Sequence, residues 1–124
     1  MNTNSKIALA MVAGVAIGVA TTQGLHAQSK KVYLISESEV VDRNAVESWN
    51  KQIREVVQKS GGINPVFSDR VVAVLGTAPQ RAVVTEYPSV EKAQAFLNSA
   101  ERKATVPSRE KAIKLVRQYI IEGN

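Results

Sequence analysis

Between Asn44 and Gly62 the apolar residues Val46, Trp49, Ile53, Val56 and Val57 recur at helical spacing, and the run stops at Ser60-Gly61-Gly62. Side chains three and four apart share one face of a helix, so this segment has one face to bury and another, carrying Glu47, Lys51, Arg54, Glu55 and Lys59, for water. Glycine supplies the left-handed conformation that closes such a helix. Asp42 or Asn44 is positioned to cap its start, and Asn44 with Glu47 has the spacing of a capping box, Asn replacing Ser or Thr. A helix with a single apolar face requires a second layer to cover it. The flanking sequence reads as that layer.

Upstream, Val32-Tyr33-Leu34-Ile35-Ser36 is rich in β-branched and aromatic residues and predicts a strand. Alternation sends Val32, Leu34 and Ser36 to one side and Tyr33, Ile35 and Glu37 to the other. Downstream, Pro65-Val66-Phe67 and Val71–Leu75, separated by Ser68-Asp69-Arg70, predict a hairpin. Gly76–Gln80 reads as a loop, Arg81–Tyr87 as a strand ended by Pro88, and Ser89 as the cap of a second helix presenting Val90, Ala93, Phe96, Leu97 and Ala100. That helix is expected to end near Asn98-Ser99. Glu101–Ser108, charged and interrupted by Pro107, is expected to be irregular, Arg109–Val116 a short helical piece, and Tyr119-Ile120-Ile121 the last strand. The order β-α-β-β-α-β specifies an α+β fold, a ferredoxin-like sandwich with helices on one face of an antiparallel sheet. Its other face is left open in a single subunit, and pairing two such faces makes a homodimer.

The first 27 residues follow a different plan: a polar start with Lys6, an uncharged run from Ile7 to Ala20, then small and polar residues. This is the layout of a secretory signal peptide, and Leu25-His26-Ala27 places the expected cleavage after Ala27. The apolar run falls short of the roughly 20 residues that span a bilayer. An uncleaved leader tethering the domain to a membrane is the competing expectation. The reading divides the chain into a leader, 1–27, and one domain, 28–124, exported to the periplasm or beyond. Of the 124 residues none is cysteine and the one histidine, His26, falls in the leader. The mature domain then carries 15 basic and 11 acidic side chains, a net charge of +4. Without thiols it has no disulfides, and a chain this small gains burial by dimerising.

Several residues in this frame carry a family resemblance: Asp42 before the first helix, Trp49, Gly61-Gly62, Gly76, Arg81 through the block VVTEYPSVEKAQAFLNS, then Arg109 and Glu122-Gly123. Together they resemble the domain-of-unknown-function 1330 family, of the dimeric alpha/beta barrel superfamily, over Tyr33 to Gly123. The leader is similar to that of the family's exported branch. The resemblance implies the same fold and a dimeric barrel, and it implies no general reaction. Two departures stand out: Ile63 where the family usually has Arg, and Ser99-Ala100-Glu101-Arg102 where Ser-Pro-Glu-Tyr is common.

With neither His nor Cys in the mature part, the common zinc spacings, Cys-His pairs and Ser-His-Asp triads are excluded, and there is no G-x-G-x-x-G or Walker loop. No metal or cofactor is expected. What remains for chemistry is Tyr33, Glu37, Arg81, Glu86, Tyr87 and Arg109. Glu86, late in a strand that otherwise reads Ala-Val-Val, is a candidate base, with Arg81 or Arg109 stabilising an anion; Tyr33, Glu37 and Tyr87 are candidate ligand contacts. Glu86 has the parity of Val84 and Ala82, whereas Arg81 shares that of Val83, Thr85 and Tyr87, so the two do not meet within one strand. Equally, Glu86 ends a strand and pairs with a cation without doing chemistry. The basic cluster Arg102, Lys103, Arg109, Lys111, Lys114 and Arg117 is interrupted by Glu101 and Glu110 and lacks aromatic company, which argues for a solvated face over a nucleic-acid surface. Three readings follow: a dimeric protein binding a small organic or anionic ligand in a pocket between the open sheet face and the C-terminal segment, a cofactor-independent isomerase or oxygenase, and a structural envelope protein.

Overall fold

The computed structural model describes residues 30–123. The expected leader and its cleavage point lie outside the described residues. Strand β1 (Val32–Val40) leads into helix α1 (Arg43–Lys59), strand β2 (Ile63–Ser68) and strand β3 (Arg81–Tyr87). Helices α2 (Val90–Leu97), α3 (Ala100–Ala104) and α4 (Val106–Ala112) follow, and strand β4 (Ile113–Glu122) closes the chain. The sheet order is β2-β3-β1-β4, with every neighbouring pair antiparallel. This is the split β-α-β-β-α-β arrangement expected from the sequence.

The two predicted faces are real and chemically distinct. In the β1–β3 register Val32 faces Tyr87, Leu34 faces Thr85, Ser36 faces Val83 and Ser38 faces Arg81. That set lies under the helices, where Trp49, Ile53, Val57, Ala93, Phe96, Ala112 and Ile113 complete the core with Val32, Leu34 and Tyr87. Tyr33, Ile35 and Glu37, with Glu86, Val84 and Ala82 opposite them, occupy the side without helices.

Asp42 caps α1 by accepting from the Asn44 backbone N–H at 3.0 Å, so Asn44 is the second helical residue and the Asn44–Glu47 capping box is not used. The helix ends at Ser60, and Gly61 follows at φ +94°. Gly62 is needed for a different reason: a Cβ there would stand 2.5 Å from Val57 Cγ1 and 2.9 Å from Thr85 Cγ2, so it is the point at which the chain slips between helix and sheet.

Three local expectations are corrected. Val71–Leu75 does not pair with β2, whose partner is β3; residues 69–80 instead form a loop. The stretch around Glu101–Ser108 is helical rather than irregular. Ser99 Oγ accepts from the Arg102 N–H at 3.2 Å to start α3, and Pro107 falls in the first turn of α4, where a missing N–H costs nothing. Finally, Ile113–Val116 is strand, paired with β1 beyond a register shift at Glu37/Ser38.

Candidate functional site

Between the helix layer and the sheet lies a cavity of about 50 Å³, room for a few waters or a small ligand. Its walls combine Leu34, Ile53, Val57, Ile113 and Leu115 with the rings of Trp49, Phe67 and Phe96. Three arginines, Arg81, Arg102 and Arg109, also line this apolar space, and among the described residues its lining includes no Asp or Glu. The cavity lies on the helix-covered side, not on the open sheet face where the sequence placed it.

Arg81 begins β3 on the inner face and is 2 % exposed. Its guanidinium donates to Asn50 Oδ1 on α1 and lies 5.7 Å from the Phe67 ring centroid. Burial pulls its pKa below the usual arginine value, partly offset by the charge of Asp69, and the group remains cationic throughout the physiological range. Asp69 itself is paired with Arg43 at 3.6 Å. Arg102 donates to Leu97 O at 3.3 Å and to Gln118 Oε1 at 3.2 Å, and it sits 5.9 Å from the Phe96 ring. Its pKa is lowered first by burial and then by the like charge of Arg109.

Among the described residues none of these three arginines has a carboxylate within salt-bridge distance. Arg81 and Arg102 are instead held by neutral acceptors and aromatic faces, which orient a cation without neutralising it. The Ser38 hydroxyl, opposite Arg81 in the register, is buried without a hydrogen-bond partner among the described residues. A largely apolar cavity lined by three arginines that have no salt-bridged carboxylate is chemically complementary to a small anion.

The residues singled out from the sequence are divided between the two sides of the sheet. Arg81 and Arg109 meet at the cavity. Glu86 lies on the open face, with Lys31 Nζ at 3.2 Å and the Tyr33 hydroxyl donating to it at 3.5 Å. Glu37, within β1, accepts from Arg117 Nη2 at 2.6 Å and from the Tyr119 hydroxyl at 3.0 Å on that same open face. Those two hydrogen bonds hold its carboxyl below the usual range. Tyr87 is fully buried, stacked on Phe96 at 5.8 Å and bonded through its hydroxyl to Ser60 Oγ at 2.8 Å, which makes it a core residue rather than a ligand contact.

Asn50, Phe67, Arg102 and Gln118 join the site without having been singled out for it. Arg102 was counted in the basic cluster read as a solvated face; the structure sends Arg102 and Arg109 inward and Arg117 to Glu37. The turn of α3 that aims Arg102 is set by the Ser99 cap, the signal that an irregular reading of the segment hides. Among the described residues no group of three or more His, Cys, Asp and Glu is assembled.

These features define a small α+β domain of ferredoxin-like fold with a cationic cavity under its helices. The chain belongs to the family described as domain of unknown function DUF1330, which matches residues 31–124. No curated protein matches the sequence. Among solved structures, a protein of unknown function from Rhodopseudomonas palustris superposes with a TM-score of 0.61 at 14% identity, covering 78% of this chain and 85% of that one. SnoaB, a cofactor-independent oxygenase from Streptomyces nogalater, gives a TM-score of 0.61 at 6% identity, covering 77% of this chain and 95% of its own. A dimeric protein of unknown function and ferredoxin-like fold from Bacteroides fragilis gives 0.57 at 13%, covering 75% and 96%. At these identities the likeness is one of fold.

Proposed function

We propose that the chain forms a homodimer through its open sheet face and holds a small organic anion, without a metal, in the cavity on the opposite side of the sheet. The observation that carries the reading is the convergence of Arg81, Arg102 and Arg109 on a cavity whose lining, among the described residues, has no acidic side chain. Burying a guanidinium without a counter-charge is costly, and a bound carboxylate supplies that charge with bidentate geometry. The apolar and aromatic walls favour an anion with a short apolar body over a fully hydrated inorganic ion. A purely structural role would leave the unpaired cations without a purpose.

The dimer rests on exposed Tyr33, Ile63, Val66, Tyr119 and Ile121 on or beside the open face, and on the dimeric state of structural neighbours such as the Bacteroides fragilis protein. Export rests on the three-part leader of the sequence. N-terminal sequencing of the protein from fractionated cells tests it, with Gln28 as the expected first residue.

The likeness to the Streptomyces nogalater oxygenase extends to the fold, and one fold hosts many activities. A reaction with Glu86 as base and Arg81 or Arg109 as anion stabiliser would need one substrate to reach both faces of the sheet. Nor, among the described residues, does the lining of the cavity include a carboxylate, imidazole or thiol to take a proton. Binding is therefore the better-supported activity.

Calorimetric titration with benzoate, succinate and phosphate, and with benzylamine as a cationic control, tests the proposal. Saturable binding of a carboxylate but not the amine is expected, weakened about tenfold or more in Arg102→Met/Arg109→Met, whose side chains are half-buried and replaceable without loss of the core. Equal binding by wild type and this variant, or no saturable anion binding, refutes it.

A further inference from the structure

The loop between β2 and β3 presents its most apolar residues to solvent. Val72, Val74 and Leu75 are 84 %, 99 % and 97 % exposed, far more than the apolar side chains of the open sheet face. Singly exposed aliphatics are ordinary, but several at one loop tip mark an interaction surface. The loop is not loose at its roots. Val40 N donates to Gln80 Oε1 at 2.8 Å, Arg70 N donates to Ser68 Oγ at 3.1 Å, and Asp69 pairs with Arg43. Both ends are thus tied to the body while the tip touches little of its own chain. Val-Val-Ala-Val-Leu also has strand composition, yet it joins no ladder among the described residues.

We propose that Val71–Leu75 is an arm that crosses to a second copy of this chain and packs over the margin of its open sheet face. The inference rests on the homodimer reading above and adds to it a named contact. Continuity supports this occupant: the arm leaves the end of β2, whose outward Val66 is 57 % exposed on the same open face. In a two-fold dimer each copy supplies one arm and one receiving face, so both apolar surfaces are covered by a single symmetric contact. A lipid surface fits less well, because the charges at the arm's roots are Arg43, Asp69 and Arg70, and the first two neutralise each other.

The test uses the full chain. Sedimentation equilibrium of the wild type and of Val72→Asp/Val74→Asp/Leu75→Asp is expected to show a dimer whose dissociation constant rises about tenfold or more in the variant, with unchanged circular dichroism because the replaced side chains are solvent-facing. In a chain that lacks cysteine, Val74→Cys provides a single thiol, and a maleimide-linked photo-cross-linker on it is expected to label sheet residues of the partner copy. A dimer of unaltered affinity in the triple variant, or cross-links confined to the arm's own chain, overturns the arm and leaves the dimer standing. A monomeric wild type removes both. Co-sedimentation with phosphatidylglycerol vesicles that is abolished by the triple variant, without effect on the dimer, assigns the arm to lipid and also overturns it.

Discussion

Arg81 on β3 donates to the side-chain carbonyl of Asn50 on α1, joining sheet and helix across the cavity through a pair that carries a full positive charge and no negative one. Replacing Asn50 by Asp changes the shape very little and supplies the missing charge. The Asn50→Asp variant is expected to be more stable, by about 1 kcal/mol, because a charge-assisted hydrogen bond is roughly twice as strong as a neutral one. It is also expected to bind carboxylates more weakly, since the new carboxylate competes for Arg81. A thermal melt and a benzoate titration on the same preparation read the two effects, which must have opposite signs.

Glu37 gives the open face a pH dependence. Its folded pKa is lowered by the Arg117 and Tyr119 hydrogen bonds. A carboxyl with a depressed folded pKa stabilises the fold fully above its unfolded value, and that contribution is lost as pH falls through the folded value. Stability is therefore expected to decline on acidification from the ordinary glutamate value of 4.5 downward, and Glu37→Gln to flatten this limb while leaving the curve above it parallel. Urea denaturation at a series of pH values measures it; an unchanged acid limb in Glu37→Gln would remove the carboxylate from the account.

The two consecutive glycines make separable predictions. At Gly61 the obstacle is conformational, a φ of +94° with nothing within 4 Å of an added Cβ. Gly61→Asn, which tolerates the left-handed region, should therefore cost less than Gly61→Ala. At Gly62 the obstacle is space, because the Cβ would meet Val57 Cγ1 at 2.5 Å, Thr85 Cγ2 at 2.9 Å and Val57 O at 3.0 Å. Gly62→Ala is expected to destabilise by about 1–3 kcal/mol as an overpacked core does, and Val57→Ala to relieve part of it in a double-mutant cycle.

Alternation along Val32–Glu37 and Arg81–Tyr87 predicted which side chains share a face, and the register agrees residue by residue. Parity likewise separated Glu86 from Arg81. The cavity was not legible, because it is formed by residues far apart in sequence: Asn50 and Phe67 meet Arg81 only when α1 and β2 settle on β3. Arg109 was singled out, but Arg102 was hidden by its company, since a basic run reads as surface unless the direction of its helix is known. The Ser99 cap and Pro107 at a helix start held that direction, but a charged stretch containing proline also fits a loop. Val71–Leu75 misled for the converse reason: strand composition records what a segment can pair with, and within this subunit the segment joins no strand although β2 lies at the edge of the sheet.

Arginine also fixes how binding should depend on pH. A histidine or lysine site loses its charge within or just above the physiological range, whereas guanidinium groups keep theirs even when burial lowers their pKa, as it does at Arg81 and Arg102. The affinity for benzoate is therefore expected to stay level, within about twofold, from roughly pH 6 to pH 9, and to fall only where the ligand itself takes up a proton. Calorimetry in buffers of different ionisation enthalpy gives a second reading, with no net proton exchange over that range. A decline above pH 7, or uptake of a proton on binding, would show that some other titrating group holds the anion and that the three arginines do not.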